Sequence, residues 1–188
     1  MAVLILNSCM DDAILEDRRT GRCLEDLLTQ VGPIELGFRI QGLAAHLLMA
    51  QGLKIVGVYS QGHPDIVAVG DQGTMRFEIE ANTSGVGSHQ LTAADLGSLK
   101  PITPTDQGFF GVAICAHYPR WLIINQARLS ARTGPAPLPV LEALSELDLS
   151  ERWTRLFRQL ITRHCEHLYA YSFELLSEWA RSGRGLKF

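Results

Sequence analysis

The clearest hydrophobic pattern of the chain lies at residues 34–51. Apolar side chains recur there at the three- and four-residue spacing of an α-helix, and alanines occupy several of the remaining positions. Residues 14–31 show related spacing in their later part, up to Gly32 and Pro33, which are expected to break the helix. Two helices are therefore predicted before residue 52, preceded by a short strand at residues 3–6.

Strand-like segments follow this helical region. Residues 53–60 predict one strand, and residues 65–69 and 74–81 predict two more that are joined by a tight turn. Successive side chains of a strand point to opposite faces, so Glu78 and Glu80 are expected on the same face of the return strand.

The next part of the chain is predicted to contain a short helix and two strands. Thr92 is a favourable N-cap for a short helix over residues 92–99, and residues 108–115 and 121–125 predict two further strands. The resulting order is helix, strand, hairpin, helix, hairpin and helix. This order predicts an α/β or α+β core with a mixed central sheet flanked by helices, and argues against a repeated βαβ series.

The C-terminal part is predicted to be helical. Residues 133–139 (TGPAPLP) predict a loop and a module boundary. Ser150 is expected to cap one long helix with an apolar stripe over residues 151–182. The chain is therefore divided into a core at residues 1–133 and a C-terminal helical extension at residues 134–188 that packs on it.

Composition narrows the class of protein only slightly. The 188 residues include 46% hydrophobic and 20% charged residues, with a formal net charge of −3. No apolar run approaches the roughly 18 residues of a membrane helix, and the N-terminus lacks the basic start of a signal peptide. The widely spaced Cys9, Cys23, Cys115 and Cys165 are interpreted as reduced, mostly buried thiols, so a cytoplasmic protein is expected.

The register of the central hairpin brings acidic residues together. A turn centred on Asp71 and Gln72 places Asp65 opposite Glu78, and opposed residues have Cβ atoms about 4.5–5.5 Å apart. Glu80 lies two residues further on the same face. Three carboxylates are thus predicted to converge at one end of the hairpin.

Such a convergence of like charges favours a bound cation. Mg²⁺ takes oxygen ligands, often one or two carboxylates with waters and phosphate oxygens, and a site of this kind supports phosphodiester hydrolysis. Asp65 and Glu78 are the predicted metal ligands, and Glu80 is predicted to help hold the metal or to orient or deprotonate the attacking water. The alternative is that these acids form the solvated face of an edge strand.

At these residues the chain resembles the PD-(D/E)xK superfamily of restriction-endonuclease-like nucleases. The resemblance covers residues 34–126 and rests on the helix at 34–51, the strand after it, Pro64 followed by Asp65, and the FEIE segment at 77–80. It implies a restriction-endonuclease-like core and an Mg²⁺- or Mn²⁺-dependent endonuclease that acts on nucleic acid, DNA before RNA. Defence, repair and mobile-element processing all suit such an enzyme.

The resemblance also assigns roles to single residues. Asp65 and Glu78 take the places of the two acidic ligands, and Gln41 falls where many members carry a supporting helix glutamate. Glu80 stands where the superfamily usually has lysine, although some members use Glu-x-Glu. Lys54, Arg76 and Lys100 are the candidates for a displaced positive charge.

Further candidates surround this set. His63 and His89 are possible supporting residues for substrate or metal, although a solvated turn histidine is the more common reading of His63. His164 and His167, which flank Cys165, have helical ligand spacing, but a surface helix is favoured there. Arginines near the start of the predicted C-terminal helix suit phosphates, with a solvated helix face as the default.

A second hypothesis competes with the nuclease. Glu80 stands in place of the usual lysine, and Gln41 has an amide where many members have a carboxylate. Both features favour a catalytically degenerate, nuclease-fold subunit that binds or scaffolds other molecules. The long aromatic C-terminal helix would then dock a protein partner or a second copy of the chain.

Overall fold

The computed structural model describes residues 2–62, 64–116, 118–129 and 133–188. Within this part of the chain, no helix is both long enough and apolar enough to span a membrane. The helices are α1 (Ala2–Ala50), α2 (Ala93–Ser98), α3 (Gln126–Leu129), α4 (Leu138–Leu144), α5 (Leu147–His164) and α6 (Phe173–Arg181), with a 3₁₀ helix at Cys165–Ala170. The strands are β1 (Lys54–Val58), β2 (Ile66–Gly70), β3 (Gly73–Asn82), β4 (Ser88–Leu91), β5 (Gln107–Ile114), β6 (Arg120–Asn125) and β7 (Gly134–Pro137).

A five-stranded mixed sheet in the order β1-β2-β3-β5-β6 forms the centre of the fold. Strands β1 and β3 both run antiparallel to β2, which lies between them, β3 pairs with β5 in parallel, and β6 returns antiparallel to β5. Strands β4 and β7 make a separate two-stranded sheet. The predicted mixed sheet flanked by helices is confirmed.

Each face of the large sheet carries its own hydrophobic core. The larger core joins α1, α5 and α6 to the face of the sheet that includes Phe77 and Trp121. The smaller core joins α2, α3, α4 and the small sheet to the face that includes Phe110 and Leu122. Because β3 and β5 pair in register, Glu78 beside Phe110 belongs to this second face.

Helix α1 corrects the first prediction for the N-terminus. Residues 3–6, predicted as a strand, lie inside the helix, where local apolar β-propensity is overridden. The predicted break is confirmed: Gly32 has non-helical backbone angles (φ 78°, ψ 167°) and Pro33 begins the second segment. That segment, residues 33–50, is the predicted helix at 34–51.

The C-terminal part differs more from its prediction. The single helix predicted over residues 151–182 is instead α5, the 3₁₀ helix and α6, because Ser172 starts a new helix by accepting a hydrogen bond from the Leu175 amide. Ser150 does not cap a helix; it lies inside α5, where its Oγ accepts from the Ile123 amide at 3.0 Å. Because the apolar stripe continues past the break, the sequence pattern of the three segments looks like that of one helix.

The loop predicted at residues 133–139 is also corrected. Residues 134–137 form β7, and their register places Pro135 opposite Gln90 and Pro137 opposite Ser88. Proline lacks an amide hydrogen, so it suits a strand with a single neighbour. The proline-rich composition therefore suggested a loop where the chain forms an edge strand.

The cysteines are only partly as predicted. Cys23 and Cys165 form a disulfide between α1 and the 3₁₀ helix, so the expectation of reduced thiols is wrong for this pair. Cys115 is a buried free thiol, and burial raises its pKa to about 12. The side chain of Cys9 lies outside the described part of the chain. Cysteines far apart in sequence gave no sign that packing would bring two of them together.

His46 ties α1 to the C-terminal segment. Its Nδ1 accepts a hydrogen bond from the Leu186 amide at 3.2 Å, so its Nε2 carries the proton and donates to the Leu176 carbonyl at 3.1 Å. The ring is fully buried, and this burial, with a smaller contribution from His164, lowers the pKa of His46 to about 4. The folded structure therefore requires the neutral form of the His46 ring, which donates one of these hydrogen bonds and accepts the other.

We expect this histidine to make stability depend on acid pH. Its pKa in the fold is below the unfolded value of 6.5, so its stabilisation is full above pH 6.5 and is lost as pH falls toward 4. The free energy of unfolding should fall by about 3 kcal/mol over this range from His46 alone. Urea denaturation at several pH values measures it. His46→Gln should flatten the pH dependence, whereas exposed His167→Gln should not; equal slopes in all three proteins would contradict the assignment.

Candidate functional site

The central hairpin has the predicted register. Gly70 pairs with Gly73, and the ladder continues to Ile66 opposite Phe77. Asp65 lies one residue beyond the ladder, which places it beside Glu78. The two acidic residues therefore lie side by side, Asp65 just before the start of β2 and Glu78 in the middle of β3.

Hydrogen bonds hold two of the carboxylates in place. Asp65 Oδ2 accepts from the Ile79 amide of β3 at 2.7 Å, and Glu78 Oε1 accepts from the Ser98 hydroxyl at 2.6 Å. Asp65 is 9% exposed and Glu78 is 4% exposed, so both lie below the protein surface. Buried carboxylates are uncommon unless they are paired or bind a cation.

A cavity of about 280 Å³ opens at these residues. It is bounded by the second segment of α1, the start of β2, β3 and α2. Its polar lining, which we call the acidic pocket, consists of five side chains: Gln41, Asp65, Glu78, Glu80 and Asp95. Four of the six residues in the predicted set of site and supporting residues therefore line one pocket, and Glu80 is its exposed member.

Asp95 is the residue that sequence reasoning missed. It is the third residue of α2, where its side chain accepts from the Thr92 amide at 2.7 Å and Thr92 Oγ1 accepts from the Asp95 amide at 3.1 Å. This reciprocal pair is a capping box. The Thr-x-x-Asp spacing was a visible signal for the helix start, but only the crossover from β3 to β5 brings α2 to the pocket.

Close backbone packing sets the position of α2. A Cβ atom added to Gly108 of β5 would lie 1.9 Å from the carbonyl oxygen of Leu99, so only glycine allows this close approach. Leu99 follows Ser98, whose hydroxyl donates to Glu78. The glycine in β5 thus fixes the distance between α2 and the buried glutamate.

None of the candidate positive charges lines the acidic pocket. Arg76 pairs with Asp106 at 3.1 Å, and Asp106 also accepts from Thr103 and the Ile102 amide. These hydrogen bonds and the arginine hold the pKa of Asp106 well below its usual range. Lys54 begins β1 at the turn end of the hairpin, away from Asp65, and Lys100 is exposed beyond α2. The described lining contains no lysine or arginine.

The histidine candidates lie in different places. His63 is outside the described residues. His89 lies on β4, where its Nε2 accepts from Asn82 Nδ2 at 3.3 Å, and burial lowers its pKa. It is not part of the pocket lining, although Asn82 shares a strand face with Glu80. His164 contacts Tyr171 and the Lys187 carbonyl, and Cys165 beside it is disulfide-bonded.

The acidic pocket contains oxygen donors of the kind that Mg²⁺ prefers. Asp65 and Glu78 supply two carboxylates, the number that Mg²⁺ commonly takes from a protein. The Oε1 atom of Gln41 is buried without a hydrogen-bond partner, and a water in the pocket would supply the missing donor. Among the described residues, however, no group of three or more histidine, cysteine, aspartate or glutamate side chains is placed to hold a metal ion.

Comparison with known proteins adds no relative: no protein-family model matches the chain, and no curated protein matches its sequence.

Proposed function

We propose that the chain is a metal-dependent nuclease that hydrolyses phosphodiester bonds, with DNA as the first candidate substrate. The observation that carries the proposal is the meeting of buried Asp65 and Glu78 with Glu80 and Gln41 around one cavity. The resemblance of the same residues to restriction-endonuclease-like nucleases also supports it. A role in defence, repair or a mobile-element complex is part of the proposal.

The side chains have distinct roles in this proposal. Asp65 and Glu78 would hold Mg²⁺ or Mn²⁺, and both are fixed by hydrogen bonds from β3 and α2. When bound, such an ion activates water and stabilises negative charge on a phosphate oxygen. Gln41 would accept a hydrogen bond from a water in the pocket. Glu80, exposed at the rim, would orient the attacking water or accept its proton.

In this proposal, Ser98 and Asp95 hold other groups of the acidic pocket in position. The Ser98 hydroxyl keeps Glu78 in one orientation, and the Asp95 capping box keeps Ser98 on a formed helix. Preorganised groups lose little freedom when substrate binds, which is the condition for efficient catalysis. Asp95 also adds negative charge to the pocket, which strengthens its attraction for a cation.

The second candidate is a nuclease-fold subunit without activity. The absence of lysine and arginine from the described pocket lining favours it, because a positive charge usually lies beside the attacking water in this superfamily. In this case the C-terminal helices would serve as the binding surface for a protein partner or a second copy.

A cytoplasmic location belongs to the proposal. Disulfides are rare in the cytoplasm of mesophiles and are then usually transient or redox-sensing. The Cys23–Cys165 bond is therefore expected to be the redox-sensitive kind in such a compartment.

Cleavage of labelled single- and double-stranded DNA and RNA tests the proposed function. We expect the purified chain to cut at least one substrate with Mg²⁺ or Mn²⁺, and to stop when EDTA removes the metal. Gel electrophoresis of end-labelled products measures the cutting. Intact substrates under every metal condition would reject the nuclease and favour the inactive subunit.

A further inference from the structure

A second groove lies on the first segment of α1. Four of its five lining residues, Arg18, Gly21, Arg22 and Glu25, recur at the spacing of one helix face, and Tyr118 from the β5–β6 turn completes the lining. The groove has a volume of about 380 Å³. It shares no residue with the acidic pocket.

The lining offers two kinds of contact. Arg18 and Arg22 are exposed, stand one helical turn apart, and make no salt bridge within the described part of the chain. Guanidinium groups bind phosphate in a two-point geometry. Tyr118 is 64% exposed, and its ring offers a stacking surface for a base. Gly21 between the arginines leaves the floor without a side chain.

Both walls of this groove are held by the same arginine. Arg158 of α5 pairs with Asp17 of α1 at 2.8 Å and donates from Nε to the carbonyl of Pro119, the neighbour of Tyr118, at 3.0 Å. One turn further along α1, Thr20 bonds to Thr162 at 3.1 Å. The groove is therefore a fixed feature of the packing between α1, α5 and the β5–β6 turn.

The acidic pocket and the β5–β6 turn that carries Tyr118 lie toward the same end of the large sheet, at the carboxyl ends of β3 and β5. Val112 is the register partner of Glu80, and the β5–β6 turn begins three residues beyond it, at Cys115. At the strand rise per residue this is roughly 10 Å.

A nucleic-acid substrate would need positive charge outside the acidic pocket. The acidic pocket carries four carboxylates and, in its described lining, no lysine or arginine to bind a phosphate backbone. The groove has two arginines against the single glutamate Glu25, which leaves an excess of positive charge. Backbone phosphates are held mainly by such groups.

We propose that this surface, the arginine groove (Arg18, Gly21, Arg22, Glu25 and Tyr118), binds phosphates and one stacked base of a single nucleic-acid strand that leads to the acidic pocket. The proposal rests on the proposed nuclease function for the path of the strand. The binding itself is measured without cleavage.

Fluorescence anisotropy with a short labelled single-stranded oligonucleotide in EDTA tests the groove. The double variant Arg18→Ala with Arg22→Ala should bind roughly tenfold more weakly or worse, and the slope of log affinity against log salt should fall by about 1.4, since each lost phosphate contact on a single strand contributes about 0.7. Tyr118→Ala should weaken binding by roughly fivefold or more through lost stacking.

Matched controls separate the groove from general charge. Arg152→Ala with Arg181→Ala removes two exposed arginines outside the groove and should leave affinity nearly unchanged. Circular dichroism and melting temperature verify that every variant is folded. Equal losses in both double variants, no loss in the groove variants, or binding of polyglutamate but no oligonucleotide would each overturn the proposal.

Cleavage and binding together distinguish the two proposals. If the wild type cuts nothing but the groove variants still lose binding, the nuclease fails and the arginine groove stands. If the wild type cuts and the groove variants bind and cut normally, the groove fails and the nuclease stands.

Discussion

Replacing Glu78 by glutamine is expected to slow metal-dependent cleavage by on the order of 10²- to 10³-fold, the range found when one stabilising group of an active site is removed. Glutamine keeps the length of the side chain and an oxygen that accepts the Ser98 hydrogen bond, so α2 should stay in place. It removes the charge that the metal needs. Single-turnover cleavage at saturating enzyme measures the chemical step directly.

Two further measurements make this result specific to the metal site. Mg²⁺ or Mn²⁺ should raise the melting temperature of the wild type, because a ligand that binds only the folded state stabilises it, and Glu78→Gln should weaken that effect. Glu151→Gln on the exposed surface of α5 is the matched control and should behave as the wild type does. A Glu78→Gln protein that cuts at the normal rate would remove Glu78 from the mechanism.

Loss of the Cys23–Cys165 disulfide is expected to lower the free energy of unfolding by about 3–5 kcal/mol, because a cross-link over so long a loop restricts the unfolded chain strongly. The two cysteines are separated by 142 positions in sequence. Cys23→Ala with Cys165→Ala should show the loss in urea denaturation, and a reductant should produce a similar loss in the wild type.

The remaining cysteine provides the control for the disulfide. Cys115→Ala removes a buried thiol that forms no bond, so its cost should be smaller and should come from packing alone. Reductant should leave the Cys23→Ala, Cys165→Ala protein unchanged. A wild type whose urea midpoint does not move on reduction would contradict the expected contribution.

Local signals were sufficient for the centre of the fold. The turn at Asp71 and Gln72 fixed the hairpin register, and because side chains alternate along a strand, the register placed Asp65 beside Glu78. Gly32 followed by Pro33 marked the break in α1 for equally local reasons. These features depend on backbone preferences of a few neighbouring residues.

Features that depend on distant contacts were not predictable in the same way. Asp95 reaches the acidic pocket only because α2 lies in the crossover between two parallel strands. The Cys23–Cys165 bond requires α1 and the 3₁₀ helix to meet. The break between α5 and α6 depends on Ser172, whose capping role is hidden inside a continuous apolar stripe. The pattern of hydrophobic and polar residues does not show which distant segments come into contact.

The packing of α1 has a consequence for how the chain acquires its fold in a cell. Leu24 and Leu27 are buried in a core that includes α5 and α6, and His46 bonds to Leu176 and Leu186. Because the ribosome releases the N-terminus first, α1 emerges long before these partners have been made. Such distant contacts also carry a large loop-closure cost and slow folding. The larger core therefore closes only after translation has passed residue 186, and until then α1 exposes apolar side chains that chaperones recognise and that favour aggregation.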